Sequence, residues 1–215
     1  MSRTFSYRFW IYLLRIYLES TMQLDIRNEV VENVDEFVYL GSLLTEDGTS
    51  SKDINRRVNN GYFKFSELRK SVWNQPCISL KTKVKIYKAV VLSAVLYGAE
   101  TWTCREEDYN KLNVFNTKLL RTLLGRKRDE ISNKDLYKLI DTCPLEMVVR
   151  RNRLRWAGHV RRMNDDRLPK KILFGKVVGG NKKSGRPLKN WLDCLQEDCE
   201  RVNIMYSKWI ENAKN

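Results

Sequence analysis

The pattern of apolar and polar positions divides the chain into a short β-like stretch and a longer helical one. Residues 22–44 read as strand: Phe37-Val38-Tyr39-Leu40 is β-prone, Gly41 punctuates it, and Glu46-Asp47-Gly48 is a turn. Two or three short strands are expected, too few for a stand-alone sheet. From there on the period is helical. Ser50 or Ser51 can cap a helix with Ile54, Val58, Phe65, Leu68 and Val72 on one side, and Asn74-Gln75-Pro76 ends it. Ser79 caps the next helix, which carries Leu80, Val84, Tyr87, Val91, Ala94 and Val95 on one face. A third is expected over Glu106 to Leu124, with Leu112, Phe115, Leu119 and Leu123 inward and Gly125 as its stop. Three amphipathic helices joined by short connections make a bundle. A short helix around Ser132 to Ile140 and a last one opened by Pro187, with Leu188, Trp191, Leu192, Leu195 and Val202 on one face, complete a mainly α fold.

Between those two lies Pro144 to Met163. At about 100° per residue, Leu145, Val148, Val149, Asn152, Trp156, Val160 and Met163 share one face of this helix. Arg150, Arg151, Arg153, Arg155, Arg161 and Arg162 spread over the rest, and Glu146 is the only acid in the stretch. A solvated face usually mixes signs. Unrelieved arginine repels itself unless an anion lies across it, so the helix is expected to face a polyanion.

Charge sharpens that expectation. The 215 residues carry a formal net charge of +14. Residues 144–190 hold fourteen Lys and Arg against three acids, whereas residues 1–48 hold four against eight. The asymmetry points to a nucleic-acid surface ahead of an anionic membrane. The five cysteines are odd in number and scattered, and no secretory signal is visible, so free thiols in the nucleus or cytoplasm are expected rather than a secreted protein. Phe9 to Leu14, the longest apolar run, is far short of the ~20 residues that span a bilayer. Residues 1–18 bear Arg3, Arg8 and Arg15 before any acid, a pattern shared with mitochondrial presequences, although an unstructured or weakly helical lead-in is the simpler reading.

Candidate chemistry is sparse. His159 is the sole histidine; beside Trp156 on the projection, it is expected to be a packed core residue, because no nucleophile or orienting carboxylate can be named for it. Cys143, His159, Cys194 and Cys199 lack zinc-site spacing, and Cys77, Cys104 and Cys143 read as small apolar fillers. Gly185-Arg186-Pro187, flanked by Lys182, Lys183 and Lys189, holds half of a minor-groove arginine clasp, since Ser184 stands where a second arginine would; a basic linker over 176–187 that touches phosphates is the better reading. Trp73, Trp102, Trp156 and Trp191 could stack on bases, but each sits where core anchoring is commoner.

The segments FVYLGSLLTEDG (with Ile54 and Arg57 after it), VLYGAETW, RLRWAGHVRRM and GRPLKNWLDCLQEDC, in that order, resemble the C-terminal part of reverse transcriptases from non-LTR, LINE-like retrotransposons. The resemblance runs from about Glu32 to Val202. It implies that Tyr39, Leu40 and Gly41 are the edge of a palm. Arg56, Arg57, Lys64, Lys81, Lys85 and Lys88 would be thumb contacts to template–primer phosphates. Arg151, Arg155, Arg161 and Arg162 would be downstream contacts to the element's RNA or to target DNA, with Lys182, Lys183 and Arg186 adding linker contacts. A polymerase also needs paired palm aspartates that hold two metal ions. Only 38 residues precede Tyr39, none reading as an aromatic-X-Asp-Asp turn, and Asp165-Asp166 follows a helix downstream of the thumb and reads as a loop. The chain is therefore expected to be a truncated, non-catalytic piece.

The resulting expectation is a mainly α protein organised as an unplaced lead-in (1–22), a β remnant (23–48), a thumb-like bundle (49–126) and a basic helical region (127–205). It would bind the RNA or DNA backbone, with no cofactor, metal, membrane partner or small-molecule substrate. A co-opted protein–protein module that kept the helical scaffold, and a functionless translated relic, are the alternatives.

Overall fold

The computed structural model describes residues 34–175 and 189–213, together with the backbone of strands β1 (Asp25–Ile26) and β2 (Glu29–Val30). It is mainly helical with short antiparallel β structure towards the N-terminus. The linker residues Lys182, Lys183 and Arg186, and the Pro187-Leu188 start expected for the last helix, lie outside the described residues. The chain divides into two compact units: a central one of residues 53–100 and 104–153, and a terminal one of residues 1–52, 101–103 and 154–215.

Strands β3 (Glu36–Tyr39) and β4 (Ser42–Thr45) form a hairpin in which Tyr39 faces Ser42 and Glu36 faces Thr45. The two turn residues, Leu40 (φ 47°) and Gly41 (φ 80°), are both left-handed, as a two-residue hairpin loop that follows the strand twist demands. Leucine is an unusual occupant of that conformation. Asp47 closes the following turn, its Oδ1 accepting from the Thr45 hydroxyl at 2.6 Å and the Thr49 N–H at 2.9 Å, and these bonds hold its carboxyl below the usual range. Phe37 (53% exposed), Val38 (52%) and Leu40 (45%) leave the hairpin with an apolar surface.

The central unit is a helical bundle. Helix α1 (Ser51–Glu67) is followed by a π-helical turn, Arg69–Trp73, in which Trp73 stacks on Phe65 (centroids 4.9 Å apart) and donates its indole N–H to the Phe65 carbonyl at 2.7 Å. Helix α2 (Leu80–Ile86), N-capped by Ser79, runs on into a π-helical segment, Tyr87–Leu92, and a last α-turn, Ser93–Val95. The wider π turn brings both Val91 and Leu92 into the core beside Val84, Tyr87 and Val95, while Leu80 is left exposed. Helix α3 (Glu106–Leu124) buries Leu112, Phe115 and Leu119 and stops at Gly125 in the left-handed conformation (φ 64°). Its first turn carries Glu106, Glu107 and Asp108, favoured by the helix dipole, and Asp108 Oδ2 accepts from the Arg105 N–H at 3.0 Å. Deep in the unit the Tyr87 hydroxyl donates to Asn116 Oδ1 at 2.9 Å. Helix α4 (Asn133–Ile140) is N-capped by Ser132.

Helix α5 (Leu145–Arg161) contributes its residues up to Arg153 to the central unit and those from Leu154 on to the terminal one. The terminal unit adds α6 (Leu168–Phe174), α7 (Trp191–Arg201, N-capped by Asn190) and α8 (Tyr206–Asn212). Its core cluster joins Ala157, Val160, Leu173, Trp191 and Leu195, with Trp156, Tyr206 and Trp209 packed against it. Trp156 meets Trp191 edge to face, 5.3 Å between centroids. The buried face of α7 is Trp191, Cys194, Leu195, Asp198 and Cys199, not the expected Leu192 and Val202, which are exposed at 36% and 50%. Small cysteines rather than large aliphatics turn inward there, a choice that apolar size alone does not reveal.

Candidate nucleic-acid interface

The arginines of α5 divide into an inward and an outward set. Leu145, Val149, Arg153, Ala157 and Val160 recur every three or four residues and are all fully buried, so arginine occupies a core position of the stripe. Arg153 is 0% exposed and donates from both Nη atoms to the Tyr109 hydroxyl at 3.2 Å. Arg150, 6% exposed, lies over the same tyrosine ring 4.2 Å from its centroid, with Nε 3.0 Å from Glu146 and Nη2 3.5 Å from Glu106. Both were expected on the open side of the helix, and both are structural instead. A buried guanidinium is tolerable only where acceptors meet it. Burial pushes the Tyr109 hydroxyl well above its ordinary value, so it stays a neutral acceptor for Arg153. Tyr109→Phe removes that acceptor. The variant is expected to lose about 1.5–3 kcal/mol in urea unfolding, as for hydrogen bonds to charged groups, while nucleic-acid affinity is unchanged.

The outward set is Arg151, Arg155 and Arg162, all exposed and pairing with no described carboxylate. Arg161 is half-buried, its guanidinium 5.4 Å from the Phe174 ring centroid. Among the positions expected to be thumb contacts, Lys81, Lys85 and Lys88 are exposed on α2 and its π-helical continuation, with Lys88 Nζ donating to the Asp141 carbonyl at 3.2 Å. Lys64 is half-buried and 4.0 Å from Glu67, and Arg56 is exposed but bonded to Asp53 at 3.0 Å. Arg57 departs from its expected role. At 6% exposure its Nε is held by Asp53 at 3.1 Å and its Nη1 donates to the Ala94 carbonyl at 3.3 Å, so it braces the bundle from within.

Two grooves gather cations further. In the central unit a groove of about 620 Å³ is lined by Lys118, Arg121, Arg126, Lys127 and Arg128 around the end of α3. Arg121 donates to the Ile131 carbonyl (3.1 Å) and Asn133 Oδ1 (2.6 Å), and its buried Nε has no hydrogen-bond partner. Among the described residues, the only carboxylate pairing with these cations is Glu130, 3.5 Å from Arg126. The run Arg126-Lys127-Arg128 was visible in the sequence but is explained equally well by the negative end of the helix dipole; its union with Lys118 and Arg121 needs the fold. In the terminal unit a groove of about 440 Å³ brings Arg155 and Arg162 together with Gly158 and Trp209.

His159 is exposed, not the packed core residue expected, because the stripe of α5 is centred on Ala157 and Arg153 and carries His159 outward. Cys77 is exposed, so it fills no core, whereas Cys104 is buried and Cys143 half-buried. Burial pushes the Cys199 thiol up to about 11, which leaves it protonated and inert near neutral pH. Asp165 of the Asp165-Asp166 pair is 95% exposed in the turn after α5 and pairs with Lys170 at 2.7 Å.

No helix among the described residues is long and apolar enough to cross a membrane. No family model and no solved structure matches the chain. The chain is similar to an uncharacterised transposon-derived protein of Caenorhabditis elegans, 26% identical over 185 residues that make up 83% of this chain and 63% of the relative. The chain thus spans less than two thirds of that relative's length.

Proposed function

We propose that the chain descends from a transposon protein, specifically the thumb and downstream region of a non-LTR reverse transcriptase, and that it binds nucleic acid through phosphates without catalysis. Descent is supported by the transposon-derived relative and by the order of the segments that resemble such reverse transcriptases. Binding rests on one observation above the rest: Arg151, Arg155 and Arg162 stay exposed and without a described carboxylate while Arg150 and Arg153 of the same stretch are satisfied internally. The protein has the means to neutralise arginine and leaves these three open. The cations at the end of α3 add to the exposed Lys81, Lys85 and Lys88 as candidate phosphate contacts of the central unit.

Such contacts release counterions, so affinity depends steeply on salt and little on sequence. The full chain is expected to bind ~20-base-pair duplex DNA with a logarithmic salt slope of about −0.9 per phosphate contact, about −4 to −5 for five contacts. Titration across 50–200 mM salt measures it, and a dissociation constant that does not move with salt rules the reading out.

A second reading, a protein–protein module, draws on the exposed Phe37, Val38 and Leu40 of the β3–β4 hairpin. Its binding would resist salt and depend on those three side chains. The same titration separates the two.

A further inference from the structure

The groove on the second half of α5 combines two kinds of side chain suited to a strand whose bases are not paired. Arg155 and Arg162 are seven residues apart, about 10.5 Å along the helix axis. The Arg162 N–H still bonds the Gly158 carbonyl at 3.2 Å, so both guanidinium groups rise from one helical face. Arg162 Nη1 lies 3.5 Å from the Ala213 carbonyl, and neither arginine pairs with a described carboxylate. Gly158, buried between them, lets the Arg162 guanidinium lie close over the helix: a Cβ there would come within 3.3 Å of Arg162 Nη1. Trp209, on α8, lines the same groove. Its ring packs against the core cluster and runs parallel to Tyr206, 7° between planes and 6.2 Å between centroids. It is therefore fixed in orientation before any ligand arrives.

The volume, about 440 Å³, falls in the ~300–1,000 Å³ range of small-ligand sites. Guanidinium groups on flexible arms suit phosphates, and an indole wall suits a base face. In a duplex the base faces are already stacked on one another and cannot enter such a recess. We infer that this groove takes an unpaired nucleotide of a single strand, with its base on Trp209 and the flanking phosphates on Arg155 and Arg162. The inference deepens the nucleic-acid reading above and rests on it. Trp209 lay outside the tryptophans that the sequence suggested for stacking, because only the fold brings α8 beside the arginines of α5.

The test compares, for the full chain at one salt concentration, a ~20-nucleotide single-stranded DNA with the same strand carrying abasic residues, which keeps every phosphate and removes the stacking faces. The intact strand is expected to bind about tenfold tighter, within the ~5–150-fold that one stacked base represents. Trp209→Phe should keep this preference. Gly158→Leu, which adds a side chain to the groove beside the Arg162 guanidinium, should abolish it. Equal affinity for the intact and abasic strands overturns the inference while leaving phosphate binding standing, and that comparison needs no substitution. A preference that survives in folded Gly158→Leu protein places the stacking elsewhere and overturns it as well. Absence of binding to either strand removes the nucleic-acid reading itself and the inference with it.

Discussion

Gly61→Val is expected to destabilise the central unit by about 3 kcal/mol or more, near the upper end of what overpacking a well-filled core costs. Gly61 is buried in the middle of α1, where glycine is normally a poor choice. A Cβ at this position would lie 2.5 Å from Val95 Cγ2 and 2.7 Å from Phe115 Cζ. Neither neighbour has room to withdraw. Val95 is 0% exposed, and Phe115, 1% exposed, is held edge to face against Tyr62 at 4.8 Å. Gly61→Ala sets two effects of known sign against each other. Helix propensity gains roughly 1 kcal/mol, and overpacking costs roughly 1–3 kcal/mol. The contact distances decide for the second, so alanine should also destabilise, though by less than valine. Urea unfolding of the three proteins measures the order. An alanine variant about 1 kcal/mol more stable than the parent would mean that α1 does not pack this closely.

Gly61 also shows what the sequence could and could not reveal. The apolar stripe of α1 was legible as Ile54, Val58 and Phe65, carried on by Leu68 and Val72 into the π-helical turn, with a gap of seven between Val58 and Phe65. Gly61 fills that gap and is buried because of its smallness, which hydropathy does not register. Helix α3 was legible down to its ends, because Gly125 closes it and the large apolar Leu112, Phe115 and Leu119 recur at helical spacing. The β3–β4 hairpin was legible from its β-prone residues and Gly41, but the left-handed Leu40 was not, since nothing in a leucine announces that conformation. On α5 the face was placed around Trp156, whereas the buried stripe runs through Arg153 and Ala157. An arginine whose acceptor is Tyr109, 44 residues away, looks solvent-facing until the fold supplies that partner. The same limit hid Asp53 from the reading of Arg57, although the two are only four residues apart on α1. Helices α6 and α8 are short, seven residues each, and carry too little periodicity to stand out. The candidate interface was therefore readable as a charge excess, while the assignment of individual arginines to surface or core was not.

Arg151→Glu and Arg155→Glu, together, are expected to weaken nucleic-acid binding and leave the fold intact. Both side chains are exposed, one turn apart on α5, and neither pairs with a described carboxylate. Their replacement removes no internal interaction, so unfolding free energy should stay within about 0.5 kcal/mol of the parent. Each arginine that contacts a phosphate contributes about one unit to the logarithmic salt slope, so the pair should lower it by about two. The added carboxylates also repel the backbone, and the loss should be larger at low salt, where screening is weak. Arg153→Glu serves as the contrast on the same helix. It buries a carboxylate in place of the cation that both Nη bonds to Tyr109 require, at a fully enclosed position, and should unfold the central unit. Salt-dependent binding isotherms and urea melts on the same preparations separate the two effects. If the double reversal at Arg151 and Arg155 leaves affinity and slope unchanged in folded protein, α5 does not face phosphates. The open arginines would then be no more than a solvated surface.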